Sequence, residues 1–256
     1  MSPETENRGD SAGVPWEGRQ FEDNPFAGDD GSADPALLAA LTGFRDGTAA
    51  AEAVVDALRS ARVLIPLIAE KGDEGVGPTG LTVDKTQELS LVTVAAPDGR
   101  TVLPVFSSVQ ALSAWDPMAR PIPVAGSRTA LSAASDGTDL IVIDPASDTE
   151  FVVRRPAVWA VAQEKPWVPA HQNPDVFTGL QESVGTELAV IDVSVSDGDP
   201  SARLRGPELV VTLHLMAGLD QRELDAVLQR LAARWAADDR IATLADSLTV
   251  RLATAP

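Results

Sequence analysis

Two histidines, His171 and His214, and no cysteine at all limit the chemistry open to this chain of 256 residues. Without cysteine there is no disulfide, zinc–thiolate site, iron–sulfur cluster or thiol nucleophile. A serine triad would have to recruit one of the two histidines, and no Gly-x-Ser-x-Gly elbow occurs. His171 stands in a proline-rich stretch with no second ligand at helical or hairpin spacing. His214 alternates with Thr212 and Met216, the pattern of one face of a strand. Gly75-Val76-Gly77-Pro78-Thr79-Gly80 matches the dinucleotide spacing, but such a site needs a helix N-terminus directly behind it. Here Leu81-Thr82-Val83-Asp84 continues as a strand, Pro78 removes an amide, and Asp73 and Glu74 repel phosphate. As a phosphate loop it also fails, since Leu81 occupies the lysine position. Asp29-Asp30-Gly31-Ser32-Ala33-Asp34 lacks the alternating oxygen ligands and closing glutamate of a calcium loop. No cofactor and no metal is expected. Arg154-Arg155-Pro156 sits where a strand hands over to a helix, and could hold an anion or simply offset acidic surface.

Paired carboxylates discriminate nothing in a chain with 38 acids. Against 20 bases they leave a net charge of −18 and a pI of about 4.3. That sign disfavours nucleic acid and anionic membrane as partners. No apolar run approaches the length of a membrane span. The first twenty residues show no basic start followed by an apolar core. A cytoplasmic protein is expected.

The elements that must position any site follow from punctuation and periodicity. Residues 1–35 hold nine acids, two arginines and no helical or strand period, so they read as an extended arm. The arm nevertheless carries Trp16, Phe21 and Phe26 out of eleven Trp and Phe in the chain. That excess is either chance or a docking device, and the three rings are the candidate interaction residues. Asp34-Pro35 starts a helix that Gly43 should end. A second helix covers 48–60, with Ala51, Val54, Val55 and Leu58 on one face. Val63–Ile68 reads as a strand that Pro66 places at an edge or a bulge. Strands over 88–95 and 101–106 flank Pro97-Asp98-Gly99 as a hairpin. Ser107 and Gln110 form a capping box for a helix ending at Trp115. A strand at 121–124, a helix over 127–135, strands at 140–143 and 150–153 and a helix over 156–163 follow. Lys165–Pro174, with three prolines, reads as a linker. Beyond it come a helix over 175–183, strands at 187–194 and 208–216, a helix over 220–236 and a strand at 247–252. The long helix carries Leu224, Val227, Leu228, Leu231 and Trp235 as one stripe, with Asp220 and Glu223 as its capping box.

This order of elements resembles the SseB family. The resemblance rests on Ala61-Arg62-Val63-Leu64-Ile65-Pro66, Glu88-Leu89-Ser90-Leu91-Val92-Thr93-Val94 and Asp98-Gly99-Arg100-Thr101-Val102-Leu103-Pro104-Val105-Phe106-Ser107-Ser108. It continues through Ala111-Leu112-Ser113-Ala114-Trp115, Arg120-Pro121-Ile122-Pro123-Val124 and Ile141-Val142-Ile143-Asp144-Pro145. Likeness to the family's N-terminal domain covers about Asp46–Trp167, and the remainder resembles the C-terminal half of longer members. The segment Asn24–Gly31 is similar to actinobacterial members. These motifs are strand, turn and cap signatures, so the resemblance implies fold, and it carries over no active site.

The expected architecture is α+β, with two mixed α/β domains of short, mainly antiparallel sheets and an extended N-terminal arm. The boundaries are 1–35 for the arm, 36–165 for the first domain and 175–256 for the second, an α-β-β-α-β unit. The expected function is that of a non-catalytic binding or regulatory protein acting on a protein partner. The alternative is an enzyme whose Asp, Arg and Ser side chains converge only in three dimensions.

Overall fold

The computed structural model describes residues 25–68, 75–76, 82–83, 93–96 and 98–254. The chain divides into Met1–Asp30 and Gly31–Pro256. In the first unit the described residues include a turn over 25–28, closed by Asp29 N–H donating to the Phe26 carbonyl at 3.0 Å. The second unit is α+β.

Helix α1 (Pro35–Arg45) starts where expected, with Asp34 Oδ1 accepting the Ala36 and Leu37 amides at 2.9 and 3.0 Å. Gly43 does not end it. The carbonyl of Gly43 instead accepts both Thr48 and Ala49 amides, at 2.8 and 3.0 Å. A Cβ on Gly43 would lie 2.9 Å from that of Ala49. The glycine thus admits the returning chain, and helix α2 (Ala51–Ser60) begins only after it. Val54, Val55 and Leu58 form its buried face.

Strand β1 (Arg62–Leu67) leads to a short antiparallel pair, β2 (Gly75–Val76) with β3 (Thr82–Val83). The rest of the Gly75–Gly80 loop lies outside the described residues. Strands β4 (Val94–Ala95) and β5 (Thr101–Val105) form the expected hairpin. Its turn uses Gly99 at φ +84°, a conformation open to glycine at no steric cost. Residues 88–92 of the expected first strand lie outside the described residues. Next come helix α3 (Val109–Trp115), strand β6 (Arg120–Ala125), helix α4 (Gly126–Ser135), strands β7 (Ile141–Ile143) and β8 (Phe151–Val153) and helix α5 (Arg155–Ala162).

Strands β4-β5-β7-β8 form one sheet and β1-β6 another. Leu64 and Phe106 join them through reciprocal backbone hydrogen bonds of 2.8 and 2.9 Å. The expected capping box at Ser107 is a correction. Ser108 is the N-cap of α3, its Oγ accepting the Ala111 amide at 3.1 Å. Ser107 turns inward, and its N–H and Oγ–H both donate to the buried Asp144 carboxylate at 2.7 Å. Thr149 Oγ1–H adds a third donor at 3.1 Å. The clip ties the end of β5 to the β7–β8 turn, and satisfies a carboxylate that burial would otherwise penalise.

Helices α1, α2, α4 and α5 cover one sheet face, burying Leu37, Leu41, Val55, Val105, Ile143 and Val158. On the opposite face Val102, Val142 and Val152 pack with Leu140 and with Leu204, a residue from far along the chain.

The later residues hold a 3₁₀ turn (Ala170–Gln172), helix α6 (Pro174–Val184), strands β9 (Val190–Asp197) and β10 (Leu209–Leu215), helices α7 (Gln221–Ala237) and α8 (Asp239–Leu244) and strand β11 (Leu248–Thr254). The sheet order is β11-β10-β9, with β10 antiparallel to β9 and parallel to β11. A parallel pair demands a long crossover, and α7 with α8 provides it. The capping box of Asp220 and Glu223 forms at 2.9 Å in both directions. Helix α8 was not expected: Asp238, its N-cap, accepts the Arg240 amide at 2.9 Å and restarts the helix one residue after α7 ends. A second hydrophobic cluster forms here around Val176, Leu180, Val211, Leu213, Leu231 and Trp235. Within Lys165–Pro174, Trp167 packs on the first cluster and Ala170 belongs to the second.

Candidate functional site

Arg154 ends β8 and caps α5 from the N-terminal side, so its backbone is fixed by a strand and a helix at once. Its side chain is only 7% exposed. It donates to Asp199 Oδ2 at 2.7 Å, Asp246 Oδ2 at 3.1 Å, Ser247 Oγ at 3.2 Å and the Gly206 carbonyl at 2.8 Å. Arg100, beside the β4–β5 turn, reaches the other Asp246 oxygen at 2.8 Å and Asp98 at 2.7 Å. Arg155 donates to the carbonyls of Ala242 and Ala245, both at 2.9 Å. Its guanidinium lies 5.6 Å from the Trp159 ring centroid. The Arg154-Arg155 pair therefore neither holds a free anion nor sits in solvent as neutralising charge. Its anion positions are filled by the chain's own carboxylates and carbonyls, joining the two hydrophobic clusters across a seam.

The segment between β9 and β10 completes that seam. Asp199 accepts the Leu204 amide at 2.8 Å, which sets Leu204 over the far face of the first sheet. Ala202 and Leu204 adopt φ +49° and +54°, strained values that persist only where the surroundings over-determine them. Ala202 accepts the Val152 amide at 2.7 Å, and Arg203 donates to the Ser147 and Asp148 carbonyls at 3.0 Å.

Asp246 and Glu208 sit side by side with opposite electrostatics. Burial pushes Asp246 up, but hydrogen bonds and charge from Arg100 and Arg154 outweigh it and hold Asp246 below the usual carboxylate range. Glu208 has no such partner. Burial, with the Asp246 charge adding to it, pushes Glu208 up to about 7, although its carboxylate accepts the Asp246 amide at 2.6 Å. Ser247 is saturated: Oγ accepts from Arg154 and from the Glu208 amide at 3.0 Å and donates to Asp246 at 3.3 Å. An Asp, Arg and Ser cluster thus exists, with its donors and acceptors spent on one another. A serine with no free lone pair or proton is a poor nucleophile.

A cavity of about 200 Å³ opens beside this cluster. Phe44, Phe151 and Trp167 form its apolar wall, Phe44 and Phe151 meeting edge-to-face with centroids 4.9 Å apart. The Trp167 indole N–H is buried and has no acceptor among the described residues.

A second concavity is an apolar groove between α7, α8 and β11. Leu228, Ala232 and Trp235 line it from α7, Ile241 from α8, and Leu248 and Val250 from β11. Leu252 continues the same face of β11 and is 43% exposed.

His214 stands on the outer face of the β11-β10-β9 sheet, with Nε2 3.1 Å from Ser194 Oγ. Asp192 pairs opposite His214 in register, but its Oδ1 accepts the Val193 amide. Serine, histidine and aspartate are neighbours on an open face, and no carboxylate orients the ring. His171 lies in the 3₁₀ turn, with Nε2 3.1 Å from Gln172 Nε2. Among the described residues no group of three or more His, Asp or Glu could hold a metal. No helix among them is long and apolar enough to cross a membrane. Of the expected interaction residues, Phe26 lies in the 25–28 turn, and Trp16 and Phe21 lie outside the described residues.

Asp199, Glu208 and Asp246 were not singled out by sequence, because nothing separates them from the other 35 acids. For Asp199 and Glu208 the available signal was the Asp199-Pro200 and Gly206-Pro207 pairs beside them; nothing marked Asp246.

Residues 36–160 match the family model of the SseB protein N-terminal domain. The match runs from α1 into α5, starting and ending earlier than the expected span of Asp46–Trp167. No curated protein and no solved structure matches the chain.

Proposed function

We propose that this chain, whose residues 36–160 match the SseB N-terminal domain, is a non-catalytic binding protein that takes up an extended segment of a partner protein along β11. The observation that carries this reading is the edge itself. Strand β11 pairs with β10 over seven residues, without proline or bulge, and leaves its other side unpaired among the described strands. Edges of that kind are normally blunted by bulges, prolines or inward charges. The opposite edge strand, β9, has a register break near His214 and Leu215. Beside β11 the apolar groove would accept alternate side chains of an added strand, which is how strand addition gains specificity. Saturation of the Asp, Arg and Ser cluster favours this reading over the enzyme alternative. The partner is a protein rather than nucleic acid or membrane, because the chain's −18 charge repels both. A cytoplasmic setting is part of the same proposal.

A photo-crosslinking residue at position 252 should label one partner in cells. The same residue at position 188, where Leu188 is 94% exposed, should label none. Equal labelling at both positions, or none at either, rejects β11 as the docking edge.

We further propose that Trp16, Phe21 and Phe26 form a second contact. Each ring could bury roughly 150–250 Å², or several kcal/mol together at about 25 cal/mol per Å². That cannot order the whole arm against about 1–2 kcal/mol per residue of backbone entropy, so the rings would pin it at points. Hydrogen exchange should show protection around 21–26, lost when Phe21 and Phe26 become alanine. Random-coil exchange in the isolated protein and in its complexes would remove the arm as a contact.

A further inference from the structure

The cavity behind Phe44, Phe151 and Trp167 plays no part in partner docking, and its chemistry points elsewhere. Four carboxylates line it, from Glu52, Asp197, Asp199 and Glu208, against the single guanidinium of Arg154. Arg154 is already spent on Asp199 at 2.7 Å and Asp246 at 3.1 Å. Glu208 is only 7% exposed and accepts the Asp246 and Ala170 amides, and among the described residues neither it nor Glu52 nor Asp197 forms an ion pair. A buried charge is normally paired, because leaving it alone is expensive. Here a carboxylate with amide donors but no bonded cation belongs to the lining of a space walled by aromatic rings, whose electron-rich faces attract cations. An anion would meet these four carboxylates, and Arg154 is already committed to others. At about 200 Å³ the space is also smaller than the roughly 300–1,000 Å³ of drug-sized sites.

We infer that this cavity is a binding site for a small organic cation, an ammonium group on an apolar body, held between the Glu208 carboxylate and the rings of Phe44, Phe151 and Trp167. The ammonium supplies the counter-charge that Glu208 lacks, with Glu52 and Asp197 adding to the field at the mouth. The apolar body displaces water from the aromatic wall. The walls come from both sides of the seam, Phe44 and Trp167 on one and Asp197 and Glu208 on the other. A bound cation therefore also holds the two hydrophobic clusters together, and its binding would read out as raised thermal stability.

The test uses three ligands of one shape and different charge on the full chain: benzylammonium, benzyl alcohol and benzoate. Calorimetry should show saturable one-to-one binding of benzylammonium, at least about tenfold tighter than benzyl alcohol, a gap of about 1.4 kcal/mol. Benzoate should not bind. Glu208→Gln should weaken benzylammonium about tenfold or more. Glu52→Gln, a half-exposed change on α2 that leaves the fold intact, should weaken it a few-fold. Equal affinity for the alcohol, preference for benzoate, absence of saturable binding, or unchanged affinity in both variants would overturn the site. If Glu208→Gln fails to fold by circular dichroism, the ligand series and Glu52→Gln decide the matter. None of these outcomes bears on crosslinking at position 252, so the two proposals stand or fall separately.

Discussion

Replacing Arg154 with methionine is expected to cost about 3–5 kcal/mol of stability, the usual penalty for removing one partner of a buried ion pair. The loss follows from what stays behind. Asp199 and Asp246 keep side chains only 2% and 1% exposed. Asp246 retains Arg100 at 2.8 Å, but Asp199 retains only hydroxyl and amide donors, with Ser201 at 3.4 Å and the Leu204 and Arg205 amides at 2.8 and 3.3 Å. Methionine fills much of the volume, so lost packing is the smaller part. For a chain this size the melting temperature should fall roughly 2–4 °C per kcal/mol, or about 10 °C in all. Adding Asp199→Asn should restore part of the loss, because the amide oxygen still accepts from Leu204 and no unpaired charge remains. If the single variant loses under about 1 kcal/mol, the seam behaves like a surface ion pair and is not what joins the clusters. The same variant tests the proposal that residues 36–165 and 175–256 are separate cooperative domains. Each holds its own hydrophobic cluster, so a weakened seam should split calorimetric unfolding into two transitions. A single, lower transition would reject two domains.

Glu208→Gln should change how stability depends on pH. In the folded protein Glu208 titrates near 7, against 4.5 in the unfolded chain. Its raised value means the folded state prefers the protonated acid. The penalty is absent below pH 4.5 and grows as the pH rises to 7 and beyond. A shift of that size corresponds to about 3 kcal/mol once ionisation is complete, near pH 8. Glutamine keeps an oxygen for the Asp246 amide and removes the charge, so the variant should match the parent at pH 4.5 and exceed it at pH 8. The groups facing Glu208 are Asp246 and Arg154 at the seam and Glu52, Asp197, Asp199 and His171 around the cavity. Asp246 acts in the opposite sense. Its lowered value adds stability above the usual carboxylate range, and that stability is lost as the pH falls through its folded value. The parent should therefore be most stable in mildly acidic solution. Equal slopes for parent and variant between pH 5 and 8 would mean that Glu208 is hydrated.

Local signals in the chain specified most elements and their order. Asp34-Pro35 and Asp220 with Glu223 set helix starts because a carboxylate one residue ahead of a helix has amides to accept. Asp98-Gly99 set a hairpin because a tight turn needs a residue free to take positive φ. The stripe of Leu224, Val227, Leu231 and Trp235 required a helix with one buried face. These preferences act over three or four residues and need no tertiary partner, as does the −18 charge that disfavours polyanions.

Roles that depend on distant neighbours were settled only by the tertiary structure. Ser107 looked like a cap, yet it bonds Asp144, 37 positions away. Gly43 looked like a helix stop, yet it accommodates Ala49. Arg154 looked like either surface charge or an anion site, yet it is buried against Asp199 and Asp246, 45 and 92 positions along the chain. A carboxylate's environment is the sum of everything folded around it. Glu208 and Asp246 are therefore alike in sequence and opposite in the seam, because only Asp246 receives guanidinium hydrogen bonds, while at Glu208 burial outweighs the Asp246 and Ala170 amides and the more distant charge of Arg154.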